Sequence, residues 1–363
     1  MTVSNAFNRP DKLSAELRER IIATAATLGY AGPDPMARSL RQGRVGALGV
    51  VLGESLAYAF DDPGAMQLLR GLAGACCERG AGLQLIPTTG DDADGRLVQD
   101  AAVDAFILFG LPDDHLLVAA SLRRGRPVLT SGGPQLVGHS FVGIDDRSAA
   151  RAAATHLLDQ GHRNLAVISF PLDARRHATR AASLARQRRA TFRVARERLA
   201  GYRSACVAAG APWSEVAVYE VPMNSRHAGH DAALELLRAA PHTTAILAMS
   251  DELALGALDA AEVLHRSVPT ELSVVGWDDN PSASASTPPL TTIHQSLRDQ
   301  GRLLGQLALT QPTEATTTNG PWSFVLREST AASRQQAHEL ELRNDRHPAS
   351  RSDRSARRER WIR

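Results

Sequence analysis

Phe109, Asn224, Ser250, Asp251 and Asp278 each follow an apolar run that reads as a buried strand, and Arg198 opens a helical stretch of the same alternating pattern. Parallel sheets flanked by helices hold ligands at the carboxyl ends of their strands. Two carboxylates, an amide and a guanidinium near aromatic faces such as Phe60 and Trp277 suit a sugar or a nucleobase. Such a ring needs oriented hydrogen bonds around its rim and a flat apolar platform beneath it. Each residue also has a plain structural use: Asp251, immediately before ELALGAL, suits the start of the next helix.

Covalent and metal chemistry find no such grouping. His156, His162, His177, His227, His230, His242, His265 and His294 are scattered, with no His-x-x-x-His or Cys-x-x-Cys ligand pair. GLAGACCERG matches neither a phosphate loop nor the dinucleotide fingerprint, so its glycines read as packing residues. GHR at 161–163 reads as a helix end leading into the strand NLAVIS. No catalytic residue, metal site or cofactor is expected, and the chain is not read as an enzyme.

The elements that must position these groups come in a regular rhythm. From Val45 the runs VGALGVVLG, GLQLIPT, DAFILFG, RPVLTSGG and HSFVGID read as strands, separated by helical stretches such as GAMQLLRGLAGACCERG. A second series runs NLAVISF, VAVYEVP, TAILAMS and LSVVGWDD, again alternating with helices. Continuous apolar strands between amphipathic helices predict α/β architecture, two doubly wound parallel-sheet units in tandem. Ahead of them, Leu17, Ile21, Ile22, Ala25 and Leu28 form a stripe of helical period over 14–28, capped by Ser14 and stopped by Gly29. DPMARSLRQG predicts a second, two-turn helix that forms only against a partner. The arginine-rich stretch 173–198 falls outside the rhythm and reads as a surface extension rather than a lid. Residues 334–363 read as a disordered basic tail.

Bulk properties narrow the class. Hydrophobic residues at 43% and charged residues at 22% fit a globular protein and exclude disorder throughout. The net charge of +2 hides a clustering of arginine at the two ends and in the 173–198 stretch. Cys76, Cys77 and Cys206 make no disulfide framework and suit a reduced cytoplasm. No apolar run is long enough to span a bilayer, and no basic-then-apolar leader opens the chain, so a cytoplasmic protein without membrane contact is expected.

In sequence order, TVSNAFN, RERIIATAATLGY, ARSLRQGR, IDDRSAARAAATHLLDQGHRNLAVIS, RLAGYRSA, SDELALGAL, VPTELSVVGWDD, LTTIHQ and LREST together resemble the lactose-repressor (LacI) family of bacterial transcription regulators. The resemblance covers roughly residues 1–333. It implies a DNA-binding head and hinge helix over 1–44 and a core of periplasmic-binding-protein type over 45–333. The implied division is an N-subdomain of about 45–145 plus 293–312 and a C-subdomain of about 146–292 plus 313–333. The chain would cross between them near Asp145, near Thr292 and within 312–322. The family implies a homodimer reading a palindromic operator, with recognition helices in the major groove and paired hinge helices in the minor groove. On the matching positions Thr2, Ser4 and Asn8 would meet phosphates, Asn5 base edges and Tyr30 the backbone. Ala37 and Leu40 lie in the hinge helix, with Leu40 as the apolar wedge and Arg38, Arg41 and Arg44 near phosphates. The effector, a small molecule and most often a carbohydrate in such a family, would meet Phe60, Asp62, Phe109, Arg198, Asn224, Asp251 and Asp278. Asn224 stands where many members carry an aromatic residue, which implies a more polar pocket floor.

One departure concerns the head. TVSNAFN matches the start of the recognition helix, so the family's first helix and turn are absent from the sequence, and Val3, Ala6 and Phe7 lose their packing partner. We therefore expect the coding start to lie about twenty codons upstream, the length of one helix and turn. The alternatives to a ligand-responsive repressor are a truncated regulator that keeps only effector binding, and a solute-binding protein with the same core. ARSLRQGR and the lack of a leader weigh against the second.

Overall fold

The computed structural model describes residues 2–8, 10–30, 32, 43–88, 94–175, 177–311, 314–334 and 336. One parallel sheet holds β1 (Ala47–Leu52), β2 (Gly82–Ile86), β3 (Ala105–Phe109), β4 (Val128–Ser131), β5 (Ser140–Gly143) and β12 (Thr317–Asn319), in the order β12-β5-β4-β3-β1-β2. The second holds β6 (Leu165–Ser169), β7 (Arg180–Ala181), β8 (Ala217–Glu220), β9 (Ala245–Ala248), β10 (Ser273–Asp278), β11 (Thr291–Gln295) and β13 (Trp322–Val325). Its order is β13-β11-β10-β9-β6-β8-β7, antiparallel only at the edge strands β13 and β7. Two doubly wound units are thus what the alternating pattern becomes. Strands such as β6, β9 and β4 are buried along their whole length because helices cover both faces.

The chain passes between the sheets three times, between β5 and the helix Asp146–Asp159, between β11 and the helix Leu297–Thr310, and between β12 and β13. The expected division shifts in two places. Residues 293–295 belong to the second sheet as the end of β11, and 317–319 belong to the first as β12. A three-residue strand between polar turns carries too little apolar signal to be assigned from sequence.

Helix pairs lock each unit. The helices Arg226–Ala239 and Asp251–Val263 meet backbone to backbone: a Cβ on Gly229 would lie 2.5 Å from the Leu253 carbonyl oxygen, and one on Gly256 2.1 Å from that of Arg226. At the other end of the first sheet, the Asp104 carboxylate accepts the Val45 and Gly46 amides at 2.8 and 2.7 Å and pins the entry to β1.

The 173–198 segment is not a surface extension. Leu172, Ala182 and Ala190 are buried, and Arg180–Ala181 pairs antiparallel with β8 at the sheet edge. Buried Glu220 accepts from Arg180 at 2.7 Å and from Arg186 at 2.9 Å, and Arg186 also binds Asp173. Those guanidiniums overcome the cost of burying Glu220 and hold its carboxyl below its ordinary range, as Arg186 does for Asp173. The segment then reaches the first unit, where the Asp113 amide donates to the Thr191 carbonyl at 2.9 Å and Arg196 binds the Asp113 carboxylate at 2.7 Å.

In the head, the helix Thr2–Asn8 packs against Ala15–Thr27, whose N-cap Ser14 accepts from the Leu17 amide. Ala6 is fully buried, Phe7 meets Tyr30 edge to face at 5.8 Å, and Val3 stays exposed. Gly29 adopts φ +67, the left-handed stop expected of it.

Candidate functional site

The carboxyl ends of the two sheets face each other across a cavity of about 170 Å³. Its first wall is Leu52 to Glu54 at the end of β1, Phe109 and Gly110 at the end of β3, and Ser131 and Gly132 at the end of β4. The second is Phe170 and Pro171 after β6, Asn224 after β8, and Asp278 and Gln295 at the ends of β10 and β11. Gly53 is needed where the first two of those strand ends close in, because a Cβ there would sit 2.2 Å from the Gly110 carbonyl oxygen.

Arg198 is the centre of the polar lining. Its guanidinium lies over the Trp277 ring at 3.7 Å and the Phe170 ring at 5.5 Å. It donates to Asp146 Oδ1 at 3.1 Å and to the Met249 carbonyl at 2.5 Å. Asp146, the first residue of its helix, also accepts from Arg193 at 2.9 Å, so one buried carboxylate holds two cations in place. A cation stacked on an indole and fixed at two donors is a preorganised hydrogen-bond source.

Opposite it, Asp278 has φ +106, a left-handed backbone that turns its carboxylate inward at the end of β10. Burial pushes its carboxyl up to about 7, while Arg198 and then the Gln295 amide, donating at 2.7 Å, pull it down. Gln300 supports Gln295 at 3.2 Å. Asp62 caps the helix Pro63–Arg79 through the Gly64 amide at 2.8 Å, and burial raises its carboxyl too. Tyr58 bridges the two walls, its hydroxyl within 3.1 Å of the Asn224 carbonyl oxygen and 3.2 Å of Asp62 Oδ2. The buried Ser131 hydroxyl, which lines the cavity, and the Trp277 indole N–H behind Arg198 have no hydrogen-bond partner among the described residues.

Of the candidate effector contacts, Asp62, Phe109, Arg198, Asn224 and Asp278 come together on this cavity. Two do not. Phe60 is 55% exposed on the outer side of the short helix Leu56–Asp61. Asp251 is fully buried behind the wall, accepting from Thr292 Oγ1 at 2.6 Å and from the Asn280 amide at 2.7 Å, so it ties strand ends together. Ser250, read as a strand-end polar group, caps that helix and donates to Asn224 Oδ1. Sequence reasoning missed Tyr58, Asp146, Ser131 and Gln295. Only the Tyr58/Asp62 spacing of four, one helix face, offered a signal.

Among the candidate DNA contacts, Thr2 is exposed, Ser4 and Asn5 are half-buried and Tyr30 is exposed but stacked on Phe7. Ala37 and Leu40, with Arg38 and Arg41, lie outside the described residues, as does the 337–363 tail. No helix among the described residues is long and apolar enough to cross a membrane.

Comparison with known proteins places this geometry in a wider group. A periplasmic binding protein-like domain model matches residues 154–330. The chain is 42% identical to the HTH-type transcriptional regulator Rv3575c of Mycobacterium tuberculosis, over 86% of this chain and 87% of that one. A LacI-family transcriptional regulator from Corynebacterium glutamicum superposes with a TM-score of 0.73 at 32% identity, covering 91% of this chain and 95% of the other. The regulator CelR in complex with cellobiose gives 0.67 at 28%, over 90% and 94%. The lac repressor dimer bound to operator and the anti-inducer ONPF gives 0.71 at 25%, over 91% and 95%.

Proposed function

The chain belongs to the LacI family of helix-turn-helix transcriptional regulators and is not an enzyme, and from that premise we propose that it binds a palindromic operator as a homodimer and couples this to a neutral sugar or cyclic polyol of monosaccharide size. The observation that carries the reading is Arg198, stacked on Trp277, fixed by Asp146 and turned toward Asp278 in a cavity of about 170 Å³. That volume is below the ~300 Å³ at which drug-sized pockets begin, which favours a small ligand. The one lining arginine among the described residues, Arg198, is already paired with Asp146, so that lining leaves no free cation for a phosphorylated or carboxylated ligand, which disfavours both. Hydroxyls can donate to Asp278 and Asp62 and accept from Arg198 and Ser131, while Phe109 and Phe170 offer apolar faces to a ring. The cellobiose held by CelR is consistent with this chemistry.

We assign effector contact to Asp62, Phe109, Arg198, Asn224 and Asp278, and DNA contact to Thr2, Ser4, Asn5, Asn8, Tyr30, Ala37 and Leu40. The subdomains are the units that effector and operator shift in opposite or like sense, so each ligand changes the other's affinity by one shared factor. Thermal-shift screening against aldoses, ketoses, cyclic polyols, sugar phosphates and purines tests the ligand class. A neutral sugar or polyol at 100-fold over its Kd should stabilise the chain by about 2.7 kcal/mol and alter operator retention in a gel shift. Stabilisation by a purine or a sugar phosphate alone would sink the reading.

A further inference from the structure

Away from the cleft, His227, His230 and Asp231 occupy one face of the first turns of the helix Arg226–Ala239. Their ligand atoms all lie within 4.8 Å of one another. His227 Nε2 is 3.3 Å from Asp231 Oδ2, and His230 Nδ1 is 3.1 Å from Asp231 Oδ1. A sequence search for paired histidines four apart passes over this group, because the i+4 ligand is a carboxylate. We infer that His227, His230 and Asp231 form a surface site for a borderline transition-metal ion such as Ni²⁺ or Zn²⁺, on the turn that begins three residues after the cleft residue Asn224.

Two imidazoles and a carboxylate suit such ions better than Mg²⁺ or Ca²⁺, which prefer oxygen ligands throughout. Bonds of about 2.0–2.2 Å to N and O require ligand atoms a little over 3 Å apart. Each imidazole lies close to one carboxylate oxygen, His227 to Oδ2 at 3.3 Å and His230 to Oδ1 at 3.1 Å, and the three ligand atoms are within 4.8 Å of one another, so a small turn of the side chains closes the set. His227, with 87% of its side chain exposed, is free to turn its ring through the remainder. The backbone beneath is fixed. Ser225 caps the helix through the Ala228 amide, Arg226 forms a two-point pair with Asp259 at 2.6 Å each, and Gly229 rests on the Leu253 carbonyl. That pair also neutralises the Arg226 cation on the same turn, leaving the Asp231 charge to the ion. Three ligands from one turn leave the ion's other positions to water or to a second molecule.

Isothermal titration of the full chain with Ni²⁺ alone tests the site. One ion per chain should bind at micromolar concentration. His230→Ala should weaken it about tenfold or more, as losing even an outer-shell partner commonly does, and Asp231→Asn should weaken it less. His242→Ala, at a histidine outside the group, should leave the isotherm unchanged. His227 and Asp231 are exposed and His230 is half-buried, and unchanged circular dichroism of each variant shows that the fold is kept. Cu²⁺ bound to the chain should show two-nitrogen coordination by electron paramagnetic resonance, lost in His227→Ala. Equal Ni²⁺ isotherms for the wild type and His230→Ala, or no binding by the wild type, would overturn the assignment.

Discussion

Burial pushes the Asp278 carboxyl up to about 7, against the pull of Arg198 and Gln295. Between about pH 4 and pH 7 the folded chain therefore keeps a proton that the unfolded chain has released. The stability this contributes is whole at the acid end and is lost as pH rises toward 7. Asp278→Asn removes that dependence, so the urea midpoint of the variant should fall less between pH 5 and pH 8 than that of the wild type. Equal slopes would show that Asp278 does not retain its proton. Arg198→Ala should abolish effector stabilisation in a thermal shift and cost about 3 kcal/mol, the low end for orphaning a buried charge, because Arg193 still holds Asp146. An unchanged effector response in that variant would remove Arg198 from the site. At this scale the sequence is least readable. Tyr58 and Phe60 are two residues apart, a rotation of about 200° on a helix, so one faces the cleft and the other faces solvent. Nothing in their composition says which. Asp145 and Asp146 pose the same problem: the first caps its helix through the Ser148 amide and the second turns to the arginines.

Elements were legible where burial is uniform. Strands covered on both faces are continuous apolar runs, and the caps at Ser14 and Gly29 announce the ends of the head helix. The 173–198 segment was not, because its arginines look solvated until their partner is known. That partner, Glu220, is 34 residues from Arg186 and 40 from Arg180. Glu220→Gln leaves two cations facing a neutral amide, and breaking such a pair costs a few kcal/mol, less than the ~3–5 of a wholly buried one since Arg180 is partly exposed. Limited trypsin digestion should then cut between Arg175 and Arg189 several-fold faster than in the wild type. An unaltered digestion rate would mean that the segment is held by its apolar residues alone.

At the scale of the molecule, polar links between the two units among the described residues include the Tyr58 hydroxyl to Asn224 and the Asp113 pairs with Thr191 and Arg196. Tyr58→Phe keeps the ring and deletes the bridge to Asn224, worth about 1 kcal/mol, or roughly a fivefold shift toward separated units. Small-angle scattering should give a larger radius of gyration for the ligand-free variant, returning to the wild-type value on saturation with effector. An identical radius without ligand would mean that closure is governed elsewhere. The last consequence concerns β1. Asp104 fastens the chain where it leaves the head, at Val45 and Gly46, and Gly53 and Glu54 stand in the cavity wall at the far end of the same strand. The strand is a strut of six residues, about 20 Å, hydrogen-bonded on both sides and too stiff to stretch. Under the proposed coupling, a signal from cavity to head would have to travel as a tilt of the first sheet, because this strand cannot lengthen.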